Sequence, residues 1–316
     1  MSHPGQNALT IKQLAHATGF SYCGISKADF LEKEAPRMEQ WLKEGYHGEM
    51  KYLENHFDKR LDPRKLVPGA KTVVSLLFNY FPSGDSVQQS DDARIASYAY
   101  GEDYHFIVKD KCKELVHKIE ESIGKVEGRA FVDSGPVMER AWAEKSGLGW
   151  IGRHGLLITK QQGSFFFLAE LIIDLECTPD GPIKDYCGTC TACVDACPTD
   201  AILPDKTLNA TQCISYLTIE LKAEIPETFS GKMGNWAFGC DICQQVCPWN
   251  RFSKPHHEPR LSISPEVKTY SRSEWLEISE EVFKNIFAKS ALKRTGYKGF
   301  QRNLKFLEGP VKPESL

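Results

Sequence analysis

The sequence predicts an α+β protein: a mixed α/β domain over residues 1–176, a small cysteine-rich domain over 177–260, and a helical basic tail over 261–316. Three observations carry that prediction. Thr72 to Tyr80 is a nearly continuous apolar run rich in β-branched residues, which reads as a strand buried on both faces, set between segments of helical period. Eight of the 11 cysteines fall between Cys187 and Cys247, about a fifth of the chain. Between these regions the texture changes at Thr178-Pro179-Asp180-Gly181-Pro182, after which cysteine, proline and glycine stay frequent to about residue 250.

Composition bounds the rest. With 316 residues, 41% hydrophobic and 26% charged, and a mean hydropathy of −0.38, the chain is globular rather than disordered or membrane-embedded. Its longest apolar stretch, Ser164 to Leu175, carries Glu170 and Asp174 and is too short to span a bilayer. The first twenty residues lack a basic region followed by an apolar run, so no export signal and no membrane association are expected, and a cytoplasmic location follows.

Taken in order, residues 9–18 read as a short amphipathic helix, and Gly19 with Phe20 to Ile25 as a turn into a strand. Arg94 to Tyr100 reads as a second strand. Val108, Cys112, Leu115, Val116, Ile119 and Ile123 form one face of a helix from Tyr104, closed by Gly124. Ala130 to Asp133 is a short strand, and Pro136 suits the first turn of a helix running to about Ser146. Asp133 therefore stands at a strand end before a helix, where an aspartate is either a cap or a functional carboxylate. Leu156 to Thr159 and Phe165 to Leu175 read as a hairpin. From residue 261 the pattern is helical again and ends in a Pro/Glu-rich stub expected to be disordered.

The cysteines form two motifs: Cys187-x2-Cys190-x2-Cys193-x3-Cys197-Pro198, and Cys213 with Cys240-x2-Cys243-x3-Cys247-Pro248. A C-x2-C-x2-C loop converges three sulfurs on one cubane, and the x3 spacing turns the fourth cysteine toward a neighbouring cluster, as in two-cluster ferredoxins. That exchange assigns Cys187, Cys190, Cys193 and Cys247 to one 4Fe–4S cluster and Cys197, Cys213, Cys240 and Cys243 to a second. A pair of four-cysteine zinc sites is the alternative, although zinc needs neither the third cysteine nor the distal Cys-Pro. Cys23, Cys112 and Cys177 stand outside the pattern and read as packing.

Further segments carry a resemblance: Tyr98-Ala99-Tyr100-Gly101-Glu102-Asp103-Tyr104-His105, Val132-Asp133-Ser134-Gly135-Pro136, Ala143-Glu144-Lys145-Ser146-Gly147-Leu148-Gly149-Trp150, Cys213-Ile214-Ser215-Tyr216-Leu217-Thr218 and Gly239-Cys240-Asp241-Ile242-Cys243-Gln244-Gln245-Val246-Cys247-Pro248. With these the chain resembles the epoxyqueuosine reductase family along nearly its whole length, in a short form without the C-terminal helical-repeat domain of many members. The resemblance implies a nitroreductase-like cobalamin-binding α/β domain, shared with reductive dehalogenases, followed by a ferredoxin-like module with two 4Fe–4S clusters. It implies cobalamin-dependent reduction of epoxyqueuosine to queuosine at the tRNA wobble position, with electrons passing from an external low-potential donor through the clusters to cobalt.

Asp133 matches the family's proton donor, and a carboxyl desolvated against a corrin is expected to have a raised pKa. Arg60, Ala96, Asp133, Leu157 and Leu168 match cobalamin contacts, and Arg140 is either a further contact or an ordinary surface arginine. Asp103-Tyr104-His105 begins the Asp-x-His-x-x-Gly cobalamin motif, but Val108 stands where that motif has glycine, so His105 reads as structural. Two other functions use the same residues: a corrinoid iron–sulfur reductase acting on a small molecule, as in reductive dehalogenases, and a non-catalytic electron-transfer module.

A formal charge of −3 argues against a nucleic-acid partner, but residues 282–306 hold seven lysines and arginines and no acidic residue. Lys293, Arg294 and Lys298 from this run, and Lys222 after the Cys213 segment, are the candidate RNA contacts, since phosphates supply most of such affinity. Arg251, Lys254, His256, His257 and Arg260 extend the patch. A solvated helix face over core aromatics is the alternative. The partner expected is tRNA bearing epoxyqueuosine, bound by a monomer.

Overall fold

The computed structural model describes residues 3–89 and 93–308. His3 caps α1 (Pro4–Thr18) by accepting from the Gly5 N–H, and Gly19, at φ 101°, closes it in the left-handed conformation. β1 (Tyr22–Lys27), α2 (Glu34–Lys43) and α3 (Phe57–Leu61) follow. β2 (Thr72–Asn79) is buried along all but its last residue, as its apolar run requires. Then come β3 (Arg94–Ile95), α4 (Tyr104–Ser122), β4 (Gly128–Phe131), α5 (Glu139–Lys145), β5 (Trp150–Ile151), β6 (Leu157–Ile158) and β7 (Phe166–Ile173).

Four of these strands form an antiparallel sheet in the order β1-β2-β7-β4. α1 and α4 cover one face, with Ile11, Ala15, Val108, Cys112 and Leu115 buried against Val74, Leu76, Ala169 and Leu171. α5 covers the other, where Trp142 meets Val73 and Ile172, and Ala143 meets Leu77 and Phe166.

Three sequence expectations are corrected. The strand expected over 94–100 is two residues long, because the Ser97 N–H is taken by the Asp241 carboxylate at 2.7 Å and the chain turns into a 3-10 segment. The helix expected from Pro136 begins at Glu139; Ser134 and Val137 bond back to Val132 and Gly135, and those contacts shape a loop instead. The expected hairpin is reduced to one antiparallel bridge, Thr159 with Gly163, beyond which β6 pairs with β5 and β7 inserts between β2 and β4.

The cysteine-rich part holds α6 (Ala192–Asp195), α7 (Ile214–Ile219), β8 (Trp236–Phe238) and α8 (Ile242–Gln245), with α6 and α8 packed together. β8 pairs in parallel with β3, which joins this part to the first. The tail forms α9 (Pro265–Thr269), α10 (Arg272–Glu277), α11 (Glu280–Ile286) and α12 (Gly296–Leu307). Its aromatics are core: Trp275, Phe283, Phe287 and Phe300 pack with Ile95, Ile219 and Phe238. The expected terminal stub, residues 309–316, lies outside the described residues. Among the described residues, no helix is long and apolar enough to cross a membrane.

Asn303 ties the tail to the cysteine-rich part, its amide donating to the Thr218 and Ala237 carbonyls at 2.8 and 2.9 Å from a 1% exposed position. Asn303→Ala leaves both acceptors without that donor and is expected to lower the stability of the whole chain by about 2 kcal/mol or more, in one cooperative thermal transition. A tail that melts separately, with the rest unmoved, would contradict the shared core.

Candidate active site and metal centre

Asp133 follows β4 at φ 53°, a left-handed backbone that costs a residue with a Cβ about 1–2 kcal/mol. Its neighbours hold it there. Its N–H donates to Glu139 Oε1 at 2.6 Å, and the Tyr104 hydroxyl donates to its Oδ2 at 2.5 Å. His105 Nε2 lies 3.5 Å from the same oxygen, and His105 Nδ1 lies 2.7 Å from Asp103. Tyr104 is fixed by stacking on Phe167 at 4.1 Å and on His105 at 4.2 Å. Asp133 caps no helix, since the residue before α5, Met138, makes no side-chain cap bond and Asp133 spends its carboxylate on Tyr104 and His105. The side chain remains 53% exposed, so the carboxylate stays open to solvent in the recess that the proposed cofactor would fill.

The expected raised acid is corrected by these contacts. Burial alone would raise the Asp133 carboxyl, but the hydrogen bonds from His105 and Tyr104, with the His105 and Arg294 charges, outweigh it and hold the group below the usual carboxylate range. The proton sits on His105 instead: burial opposes its charge, yet the bonds to Asp103 and Asp133 push its pKa up to about 9. In sequence the Asp103-Tyr104-His105 run points only to a cobalt-ligand motif, because Asp133, the partner of His105, lies far along the chain. Both ring nitrogens face carboxylates, so no free imidazole is offered to a metal here.

Two further carboxyls lie beneath the loop. Glu170, fully buried on β7, faces Glu139 on α5; burial, reinforced by the neighbouring charges of Asp133 for Glu139 and of Glu139 for Glu170, pushes both groups up, so the pair retains a proton. A charged residue inside a buried apolar strand is the signal that would have found it. Arg140 donates to the Gly155 carbonyl. Leu157 and Leu168 meet in one apolar cluster on the α5 face of the sheet. Arg60 donates to the Tyr52 and Asn55 carbonyls at 2.8 and 3.2 Å, which fixes the turn carrying Tyr52. Arg294 reaches that ring, 3.3 Å from its hydroxyl, and pairs with Glu220 at 2.8 Å.

The cysteines gather in two sets. Cys187, Cys190, Cys193 and Cys247 line one cavity. Burial and then the neighbouring Cys247 and Cys187 push the Cys193 thiol up to about 11. Cys240 is likewise raised by burial and then by Cys213 and Cys197, and Cys243 by burial and then by Cys240 and Cys213. Such mutual repulsion is what a cationic cluster relieves when it binds thiolates. The sulfurs border an opening rather than a point: among the described residues, no group of three or more potential metal donors is drawn together around a single-ion site.

Ala96 is the link between this module and the cleft. Gly239, at φ 67°, leads into Cys240, and a Cβ there would lie 2.5 Å from the Ala96 Cβ and 3.4 Å from the Tyr98 ring. Only glycine permits that approach.

The basic run is partly absorbed by the fold. Lys284 pairs with Glu280, and Arg302 donates to the Leu217, Leu221 and Ala223 carbonyls around the end of α7. Lys222 donates to the Ile219 carbonyl at 3.4 Å. Arg260 pairs with Glu102 and Asp110. Lys293 and Lys298 stay exposed.

Residues 186–250 match the 4Fe-4S double cluster binding domain, and residues 60–134 match the family described as epoxyqueuosine reductase QueG, DUF1730. The epoxyqueuosine reductase of Cyclobacterium marinum is 59% identical over 98% of this chain and 99% of its own length. A crystal structure of epoxyqueuosine reductase with a tRNA-Tyr epoxyqueuosine-modified tRNA stem loop superposes with a TM-score of 0.86 at 32% identity, covering 94% of this chain and 79% of that one. A Bacillus subtilis epoxyqueuosine reductase, described with its aspartate catalytic loop swung out of the active site, gives 0.86 at 31% identity, covering 94% and 79%. The chain thus belongs to the epoxyqueuosine reductase family of oxidoreductases.

Proposed function

We propose that the chain reduces epoxyqueuosine in a tRNA anticodon to queuosine, with cobalamin in the Asp133 cleft and electrons arriving through two 4Fe–4S clusters. The observation that carries this reading is the junction at Gly239. The loop bearing Cys240 and Cys243 presses on Ala96 and Tyr98, and the charges of Asp133 and Arg294 both reach Tyr98. A redox module and a proton-bearing cleft therefore share a wall.

The cluster ligands proposed are Cys187, Cys190, Cys193 and Cys247 for the outer cluster, and Cys197, Cys213, Cys240 and Cys243 for the inner one. Their grouping in space supports both sets. In the nitroreductase-like reading of the first domain, Ala96, Leu157 and Leu168 give the corrin apolar contacts, with Arg60 and Arg140 near its polar edge. His105, engaged on both nitrogens, is not a cobalt ligand. Cobalamin when bound supplies a strongly reducing centre against the substrate carbon.

The protein's own residues manage the protons. Reduction of the epoxide to the alkene takes two electrons and two protons and releases water. His105 holds a proton between turnovers and passes it through Asp133 Oδ2 to the departing oxygen, and solvent supplies the second proton that completes the water. Glu139 holds the Asp133 peptide N–H and so keeps the carboxyl aimed into the cleft; the Bacillus subtilis relative, with its aspartate loop swung out, supports a loop that takes two positions. Lys293 and Lys298 meet tRNA phosphates, while Arg294 orders Tyr52 at the cleft mouth and Lys222 steadies the end of α7. A single-stranded loop presents its base with little unpairing cost. Anaerobically reconstituted protein given an epoxyqueuosine stem loop and a chemical reductant should yield a nucleoside lighter by one oxygen. Full iron loading with no corrinoid uptake would instead support a plain electron-transfer module.

Asp133→Asn is expected to lower turnover by about 10² to 10⁴, with cobalamin uptake unchanged by absorption spectroscopy; full activity would remove the assigned role. Because the His105 proton is retained through neutrality and lost as pH rises through about 9, turnover should fall on that alkaline limb, and His105→Gln should move the limb downward. The ligand sets predict non-additive iron loss. Cys187→Ser and Cys247→Ser, alone or together, should remove the same cluster, whereas Cys247→Ser with Cys240→Ser should remove both; the reverse pattern would refute the exchange.

A further inference from the structure

The two thiol sets are not equally placed. The inner set abuts Tyr98 and the cleft through Gly239, and Cys243 lies within charge range of Cys193 in the outer set. The outer set reaches the surface: Cys190 is exposed, as are Gly188, Thr189 and Thr191 around it. The order is therefore cleft, inner set, outer set, solvent.

The surface around the outer set is unusual in two ways. First, it is apolar. Ile183, Tyr186, Val246 and Phe252 are each 38–40% exposed, four of the ten exposed large hydrophobics among the described residues. Aromatic contacts join much of this patch to the cluster, from Phe252 to Trp249 at 6.1 Å, Trp249 to Trp150 at 5.0 Å and Trp150 to Tyr186 at 5.3 Å. The Trp150 Nε1–H donates to Cys187 Sγ at 3.3 Å. Second, it is rimmed by cations. Lys160 sits over the Tyr186 ring at 5.1 Å and Arg251 over Phe252 at 4.5 Å. Lys160, Lys184, Arg251 and Lys254 are exposed, and no carboxylate pairs with them among the described residues. Asp185, at the same rim, is already bonded to Lys206 and to the Cys187 N–H. An apolar centre with a polar rim is how a short-lived protein contact is built, and rim charge left unpaired, here all positive, steers an oppositely charged partner.

We propose that this face, centred on Tyr186, Trp249 and Phe252 and rimmed by Lys160, Arg251 and Lys254, docks a small acidic low-potential electron-carrier protein that reduces the outer cluster. The proposal rests on the cluster reading above and names the partner of that same route. Each encounter moves one electron from the reduced carrier to the cluster, with no bond made or broken, and two encounters supply the electrons that one epoxide consumes. The position also separates the partners. The tRNA loop must reach Asp133 at the far end of the wire, so Arg251 and Lys254, which the sequence adds to an RNA patch, belong to the carrier face.

The test uses the holoenzyme, with a plant-type 2Fe–2S ferredoxin as the acidic probe. Binding is measured by calorimetry with the oxidised probe, and cluster reduction by stopped flow with the reduced one. Lys160→Glu combined with Arg251→Glu and Lys254→Glu, and separately Phe252→Ala, should each weaken binding. The charge variant should slow second-order reduction about tenfold or more and flatten its dependence on salt. Turnover driven by titanium(III) citrate, and affinity for the tRNA stem loop, should stay within twofold of wild type. Unchanged ferredoxin binding and reduction in the variants would overturn the proposal, as would a wild-type holoenzyme that turns over with titanium(III) citrate yet neither binds ferredoxin nor accepts its electrons. Loss of tRNA affinity in the charge variant would assign the face to RNA and overturn it too. If titanium(III) citrate gives no queuosine, the catalytic reading fails separately, while the binding isotherm still reports on the surface.

Discussion

The short parallel pairing of β3 with β8 is the constraint on which the functional geometry depends. It involves few residues: the Arg94 N–H donates to the Asn235 carbonyl at 2.7 Å, and the Ala96 N–H to that of Phe238 at 2.8 Å. Directly beyond it the chain turns at Gly239 into Cys240 on one side and at Ser97 toward Tyr98 on the other. Asp241 then bonds the Ser97 N–H, and Thr218 accepts the Gly239 N–H. The cysteine loop is thereby tied to the segment carrying Ala96 and Tyr98 by hydrogen bonds on the backbone N–H groups of that segment. The tail reinforces this tie from behind, because Asn303 and Thr295 bond α7 through the Thr218 carbonyl.

Around that junction the fold concentrates charge where packing alone would forbid it. A strained left-handed Asp133, a stacked Tyr104–His105 pair, a half-buried Glu139 and a fully buried Glu170 are costly features. All but Glu170, whose buried oxygens have no hydrogen-bond partner among the described residues, satisfy one another. Glu139 takes the Asp133 N–H, the Tyr104 hydroxyl donates to the Asp133 carboxylate, the His105 charge offsets it, and Asp103 orients His105. The outcome differs from an isolated desolvated acid: the carboxyl is anionic and its partner carries the proton, so acid strength belongs to the pair.

Much of this was legible in sequence, and the limits were physical. Spacing alone grouped the cysteines, because ligand geometry around a cubane is local along the chain. Burial of β2 and the apolar face of α4 followed from periodicity. The partners of β7 did not, since alternation tells which residues face the core but not which strand lies alongside; a nearby hairpin looked as good as the true insertion between β2 and β4. The helix after Asp133 started late because Gly135 and Pro136 serve the loop that holds the carboxyl. The contacts of His105 and Arg294 were not legible for a related reason, as each is made with residues distant in sequence, Asp133 in one case and Glu220 with Tyr52 in the other. A charge count likewise overstated the free basic surface, since it cannot tell Arg302, spent on backbone carbonyls, from Lys298.

The account stands or falls on the substrate. The most direct measurement is mass spectrometry of wobble nucleosides from tRNA of cells lacking this protein. The account predicts that epoxyqueuosine accumulates, that queuosine disappears, and that the wild-type chain restores queuosine where the Asp133→Asn chain does not. Normal queuosine levels without the protein, in cells holding no second reductase, would contradict it.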